Sequence, residues 1–188
     1  MNQTQSSTLP RSKTYEITIT ALMTAVTCIL APMSIPIGPV PISFTNLAIY
    51  LSLYLLGWKR GTISYLIYLL IGLVGIPVFS GFTSGPGKLF GPTGGYLIGF
   101  IPLALIAGYF INHFRHKKAL SFLGMILGTA VCYALGTTWL AIQAHMGLSA
   151  ALMAGVIPFL PGDFIKMILA LLIAPQIRKQ LDAAGLAR

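Results

Sequence analysis

The chain has 188 residues, of which 56% are hydrophobic and only 8% charged, and its net charge is +9. So apolar a composition excludes a soluble globular domain and reads as a single integral membrane domain over residues 1–188. Nor does the charge make a nucleic-acid face, which needs Lys and Arg gathered on one surface, because here the cations stand at the ends of apolar segments.

Residues 1–14 form a basic tail that includes Arg11 and Lys13. The apolar segment after it runs on as a full span without a cleavage-site pattern, so no part of it is expected to be removed. A bilayer core of about 30 Å needs about 20 apolar helical residues, which predicts spans near 16–31, 44–57, 62–79, 95–112, 119–143 and 160–177. A second tail follows over 178–188. Lys59 and Arg60 separate the second span from the third; Arg115, Lys117 and Lys118 follow the fourth; Arg178, Lys179 and Arg188 follow the sixth. The alternate connections hold Lys88 or no cation at all. Basic residues on every second connection predict an all-α protein of six transmembrane helices, with both termini cytoplasmic and the irregular loops on the outer side.

Between the first two spans, residues 31–42 are apolar yet contain four prolines and a glycine, so they cannot be regular helix. Irregular backbone beside a membrane is tolerated where it packs on protein or lines a cavity, and this run is expected to fold over the outer face of the bundle. The next outer connection, Gly75 to Tyr96, sets seven glycines and three prolines among aromatic residues. A flexible linker would be Gly/Ser without Phe and Leu. Apolar side chains alternating with accessible backbone N–H groups suit a concave ligand site. The last outer connection, from His145 to Pro161, is rich in Ala, Leu and Met and predicts a short surface helix ended by its prolines.

Other chemistries fail on spacing. Gly81 to Lys88 resembles a phosphate loop, but five residues separate Gly81 from Gly87 and Leu89 follows the lysine, where the motif needs four residues and Ser or Thr. No nucleotide site or other cofactor is expected, and no catalytic triad, HExxH or paired carboxylates mark an enzyme. Cys28 and Cys132 have no metal or redox spacing and read as buried small residues. Small residues four apart, Ala21/Ala25 in the first span and Gly124/Gly128 in the fifth, allow close helix approach, either within the chain or to a partner. Trp58, Trp139 and the eight tyrosines fit interfacial anchoring. Trp139, beside Gln143 at the outer end of the fifth span, either walls a cavity or simply packs. Thr45 and Asn46 at the start of the second span serve either as ligand contacts or as helix caps.

Only Pro161-Gly162-Asp163-Phe164-Ile165-Lys166 carries charges of both signs at membrane depth. Asp163 and Lys166 are three apart and share a helix face, forming either a ligand site or a mutually neutralising structural pair. No repeat of spans and no matching half-helix pairs are visible, which argues against a self-sufficient carrier. A facilitator for a small solute and a purely structural subunit are the competing classes; the ligand-like loop chemistry speaks against the second.

Six spans, the Ala21-xxx-Ala25 pair, Gly91-Pro92-Thr93-Gly94-Gly95-Tyr96-Leu97-Ile98-Gly99-Phe100 and Pro158-Phe159-Leu160-Pro161-Gly162-Asp163-Phe164-Ile165-Lys166 together resemble the BioY family, the biotin-specific substrate-binding components of energy-coupling-factor transporters. The resemblance covers essentially the whole chain. It implies a membrane protein that captures biotin from outside and docks, through Ala21 and Ala25, on a transmembrane coupling protein carrying two cytoplasmic ATPases. Asp163 is then the acceptor for a ureido N–H. Lys166 keeps it ionised or donates to the ureido oxygen. Lys88 is left for the valeryl carboxylate, although the two lysines can exchange roles. Gly91, Thr93 and Tyr96 of the glycine-rich run, with Thr45, Asn46, Trp139 and Gln143, complete the candidate contacts.

Overall fold

The computed structural model describes residues 13–115 and 117–183. Most of the two expected tails, Arg11 and Arg188 included, therefore lies outside the described residues. In chain order come α1 (Lys13–Leu30), a hairpin of β1 (Ser34–Ile35) and β2 (Ile42–Ser43), α2 (Thr45–Leu56), α3 (Trp58–Leu73), α4 (Pro86–Leu89), α5 (Gly94–His113), α6 (Lys118–Gln143), α7 (Leu148–Gly155) and α8 (Leu160–Ala183). By length and composition, α5, α6 and Leu160–Leu181 of α8 can cross a membrane, while α2 is apolar but only 12 residues long.

Two helices depart most from the sequence reading. The third helix spans Trp58–Leu73 rather than 62–79. Gly57, at φ 82°, sets its start by turning the chain between α2 and α3 in one residue, a left-handed conformation that suits glycine. Its end comes at Gly75, at φ 114°, followed by Ile76-Pro77, where the residue before proline is pushed out of the helical region. The apolar residues beyond fold back instead, with Phe79 fully buried against Tyr68, ring centroids 5.6 Å apart. The last helix runs past the expected 177 to Ala183, through Pro175. Arg178, expected in the tail, lies within it and donates from Nη1 to Tyr54 O at 2.7 Å, satisfying a carbonyl at the C-terminal end of α2.

Residues 31–43 form the antiparallel hairpin, pairing Ser34 with Ser43 and Ile35 with Ile42. Gly81 N–H donates to Pro32 O at 3.0 Å and joins this hairpin to the glycine-rich connection. Within the bundle, α5 packs along α6, and α2 along α3, α5 and α8. The Gly124/Gly128 pair serves this internal packing: a methyl at Gly124 would overlap Phe110, and one at Gly128 would come within 3.0 Å of Leu103 O. Tyr50, Tyr65, Tyr68 and Tyr96 are core rather than interfacial residues. Tyr50 Oη shares a hydrogen with Thr129 Oγ1 at 2.7 Å, and Tyr65 Oη donates to Leu97 O at 2.7 Å, as buried hydroxyls require. On the other flank, α1 is tied to α3 by the Thr24–Ser64 hydroxyl contact at 2.9 Å and by the Glu16–Arg60 ion pair.

Candidate functional site

One cavity gathers side chains from the hairpin, the glycine-rich connection and α2, α5, α6 and α8. The hairpin contributes Val40, Pro41 and Ser43, α2 gives Thr45 and Asn46, and the glycine-rich connection gives Ser80 and Thr93. From α5 come Tyr96, Leu97, Phe100 and Leu103, from α6 Thr129, Cys132 and Tyr133, and Phe159 with Asp163 and Lys166 of α8 completes the wall. The space open to the centre of a water molecule is about 60 Å³, and the whole empty volume, mouth included, is about 630 Å³. A mostly apolar wall with a few convergent polar groups is the usual make-up of a small-molecule site.

The polar end is built on α8. Asp163 stands in its first turn, where a carboxylate is favoured by the helix dipole, and Lys166 follows one turn on. Both are buried, 8% and 6% exposed. Lys166 Nζ donates to Asp163 Oδ1 at 2.9 Å and to Ser43 O, at the base of the hairpin, at 2.6 Å. Its ammonium also lies 5.9 Å from the centre of the Phe44 ring. Tyr133 Oη donates to Asp163 Oδ2 at 2.6 Å. Each charge is thus both paired and hydrogen-bonded, the condition on which a buried ion pair is tolerated.

Of the candidates read from sequence, the fold brings Asp163, Lys166, Thr93, Tyr96, Asn46 and Thr45 together around this space. Of the two capping candidates, Asn46 does satisfy a first-turn amide, its Oδ1 accepting from Leu47 N–H at 3.0 Å in α2. Phe44 is the N-cap of α2 and makes no side-chain cap bond; Thr45 and Asn46 are both buried, with Thr45 Oγ1 against Ser43 Oγ at 2.9 Å. Tyr96 turns its hydroxyl away from the cavity. It donates to Gly155 O at 2.9 Å and meets Thr137 Oγ1 at 3.2 Å, fastening α7 to the bundle and leaving the ring as wall.

Gly91, Trp139, Gln143 and Lys88 do not line the cavity. Trp139 Nε1 donates to Gly91 O at 2.9 Å, so these two residues hold the glycine-rich connection onto α6. Gln143 is exposed at the end of α6. Lys88 is half-buried on α4, in the same connection that supplies Ser80 and Thr93, and burial pushes its ammonium below the usual lysine range.

Tyr133, Ser43, Phe100 and Cys132 were absent from the sequence-derived set. A signal for α6 exists: Thr129, Cys132, Tyr133 and Gly136 recur at helical spacing, one polar and small stripe on an otherwise Leu- and Ile-rich span. Ser43 acts through its backbone carbonyl, which no residue type announces.

Ala21 and Ala25 lie elsewhere, exposed in a groove between α1 and α3. The groove walls are Ile17, Ile63, Ile67 and Ile71, with the Glu16–Arg60 pair at one end. The space there open to the centre of a water molecule is about 840 Å³.

Comparison with known proteins agrees with this architecture. The BioY family profile matches residues 1–183. The chain is 37% identical over 161 residues to biotin transporter BioY2 of Lactococcus lactis subsp. cremoris, covering 86% of this chain and 88% of that protein. It is 38% identical over 158 residues to biotin transporter BioY of Thermotoga maritima, covering 84% and 92%. The crystal structure of the S-component for biotin from an ECF-type ABC transporter superposes with a TM-score of 0.82 at 34% identity, covering 89% of this chain and 92% of that one. On sequence and fold alike, the chain belongs to the BioY family.

Proposed function

We propose that this protein is the biotin-binding membrane component of an ATP-driven vitamin uptake system. It takes biotin from the outer face and docks on a transmembrane coupling protein that carries two ATPases. It is a transport subunit and not an enzyme. In this reading six helices span a prokaryotic plasma membrane, α1 and α3 included, and both termini are cytoplasmic, an orientation that the basic connections support.

Biotin presents a ureido ring with N–H donors beside a carbonyl, an apolar sulfur ring, and a valeryl carboxylate. The observation that carries the proposal is the buried Asp163–Lys166 pair at the wall of a cavity whose apolar lining includes Phe100, Leu103 and Phe159. Asp163 lies 2.9 Å from the Lys166 ammonium, and as a carboxylate it accepts a ureido N–H through a charge-assisted bond strengthened by the low-dielectric surroundings. An ammonium carries three donors. Two of those of Lys166 go to Asp163 and Ser43 O, and the third is left for the ureido oxygen. The sulfur ring lies among the aromatic and aliphatic side chains. The carboxylate faces the mouth, where Lys88 supplies the cation. Ala21 and Ala25 form the small face on which the coupling protein packs.

Titration of the purified, detergent-solubilised protein with biotin, thiamine and riboflavin, followed by tryptophan fluorescence, tests the assignment. Saturable binding of biotin alone is expected. Tight binding of either other vitamin, or of none, would overturn it.

A further inference from the structure

Tyr133 has no part in the reading above, yet it occupies a singular place. Thr129, Tyr133 and Asp163 line not only the central cavity but also a crevice between α6 and α8 on the outside of the bundle. That crevice is walled by Ile126, Leu160 and Phe164, all exposed. Asp163 therefore has two directions open to it, one towards ligand and one towards the bundle exterior. Lys166 cannot choose between them alone, because a single contact to Oδ1 at 2.9 Å leaves the carboxylate free to swing about that oxygen. The second oxygen is fixed by Tyr133, at the 2.6 Å typical of a hydroxyl on an ionised carboxylate.

Counting donors and acceptors gives the consequence. A carboxylate offers about four lone-pair sites, of which Lys166 and Tyr133 take one each. With both oxygens anchored, the remaining acceptor positions are held at a set orientation beside the free donor of Lys166. An acceptor beside a donor complements the N–H/C=O edge of a cyclic urea.

We propose that Tyr133 is a positioning residue that aims Asp163 into the ligand cavity and, with its ring, closes that cavity from the α6–α8 crevice. The inference rests on the reading that Asp163 accepts a ligand N–H. Tyr133→Phe is the informative change, since it keeps the ring as wall and removes only the hydroxyl.

The test is a double-mutant cycle, which isolates the interaction of two groups from their separate effects. Biotin is titrated calorimetrically into folded, monodisperse wild-type protein, Tyr133→Phe, Asp163→Asn and the double variant. Tyr133→Phe is expected to lose about tenfold in affinity, Asp163→Asn more, and the double variant no more than Asp163→Asn alone. Equal proportional losses from Tyr133→Phe in both backgrounds would overturn the proposal, because the tyrosine would then act independently of Asp163. Unchanged affinity in Tyr133→Phe overturns it as well. Wild-type affinity in Asp163→Asn sinks the underlying site reading, a result distinct from additivity. Should Asp163→Asn fail to fold, biotin methylated on both ureido nitrogens serves in its place, as it has no N–H to give. Tyr133→Phe should leave the affinity of that analogue unchanged, and an equal loss for analogue and biotin contradicts the proposal.

Discussion

At the scale of single residues, the two lysines of the proposed site have unlike surroundings. Lys166 is buried and committed to Asp163 and to a backbone carbonyl, whereas Lys88 is half-buried outside the cavity lining. If Lys88 meets the valeryl carboxylate at the mouth, Lys88→Ala should weaken biotin by about tenfold or more, since a hydrogen bond to a charged group contributes about 1.5–3 kcal/mol and tenfold is about 1.4 kcal/mol. An uncharged biotin amide should lose much less. Titration of the variant with both ligands checks this, and equal losses would leave Lys88 only a shaper of the loop. Asp163 and Lys166 were legible before any fold was known because charge at membrane depth is costly and needs a reason. Tyr133 was not, since a tyrosine in an apolar span has ordinary uses as core and as anchor; its role appears only when α8 brings a carboxylate to its hydroxyl.

At the scale of elements, helix existence could be read from hydropathy but some boundaries could not, the end of the third helix above all. Leu73 to Phe79 is as apolar as the helix before it, and hydropathy does not separate a lipid-facing helix from a loop buried on protein. What separates them is Gly75 at φ 114°, Pro77, and the return of Phe79 onto Gly72. The same packing gives a prediction for the glycine-rich connection. A methyl at Gly72 would overlap the Phe79 ring, which has no exposed side to move to. Overpacking of this kind costs about 1–3 kcal/mol. Gly72→Ala should lower the thermal unfolding midpoint in detergent by several degrees and loosen the connection that carries Ser80 and Thr93 to the cavity. Gly87→Ala, where nothing lies within 4 Å of the added carbon, should leave the midpoint within a degree or two of wild type. Equal effects of the two substitutions, read by tryptophan fluorescence, would remove Phe79 as the anchor.

At the scale of the whole molecule, the proposed function assigns ligand and partner to different faces. The cavity lies among α2, α5, α6 and α8, while the small-residue groove lies between α1 and α3. Ala21→Trp with Ala25→Trp should therefore hold biotin affinity within a few fold and abolish association with the coupling complex, because two indoles prevent close helix approach. Co-purification beside ligand titration reads both halves; retained association would refute docking through this pair. Of the two small-residue pairs in the sequence, spacing alone could not tell which was internal. Gly124 and Gly128 are consumed by Phe110 and Leu103, and only Ala21 and Ala25 remain exposed. The central claim is that this buried carboxylate receives the ligand, and its most direct test is calorimetric titration of biotin into Asp163→Asn. The amide keeps the shape, loses the ionised acceptor and leaves Lys166 without its partner, so affinity should fall by at least about 1.5–3 kcal/mol in a protein that remains folded and monodisperse. Affinity equal to wild type in that protein would contradict the site.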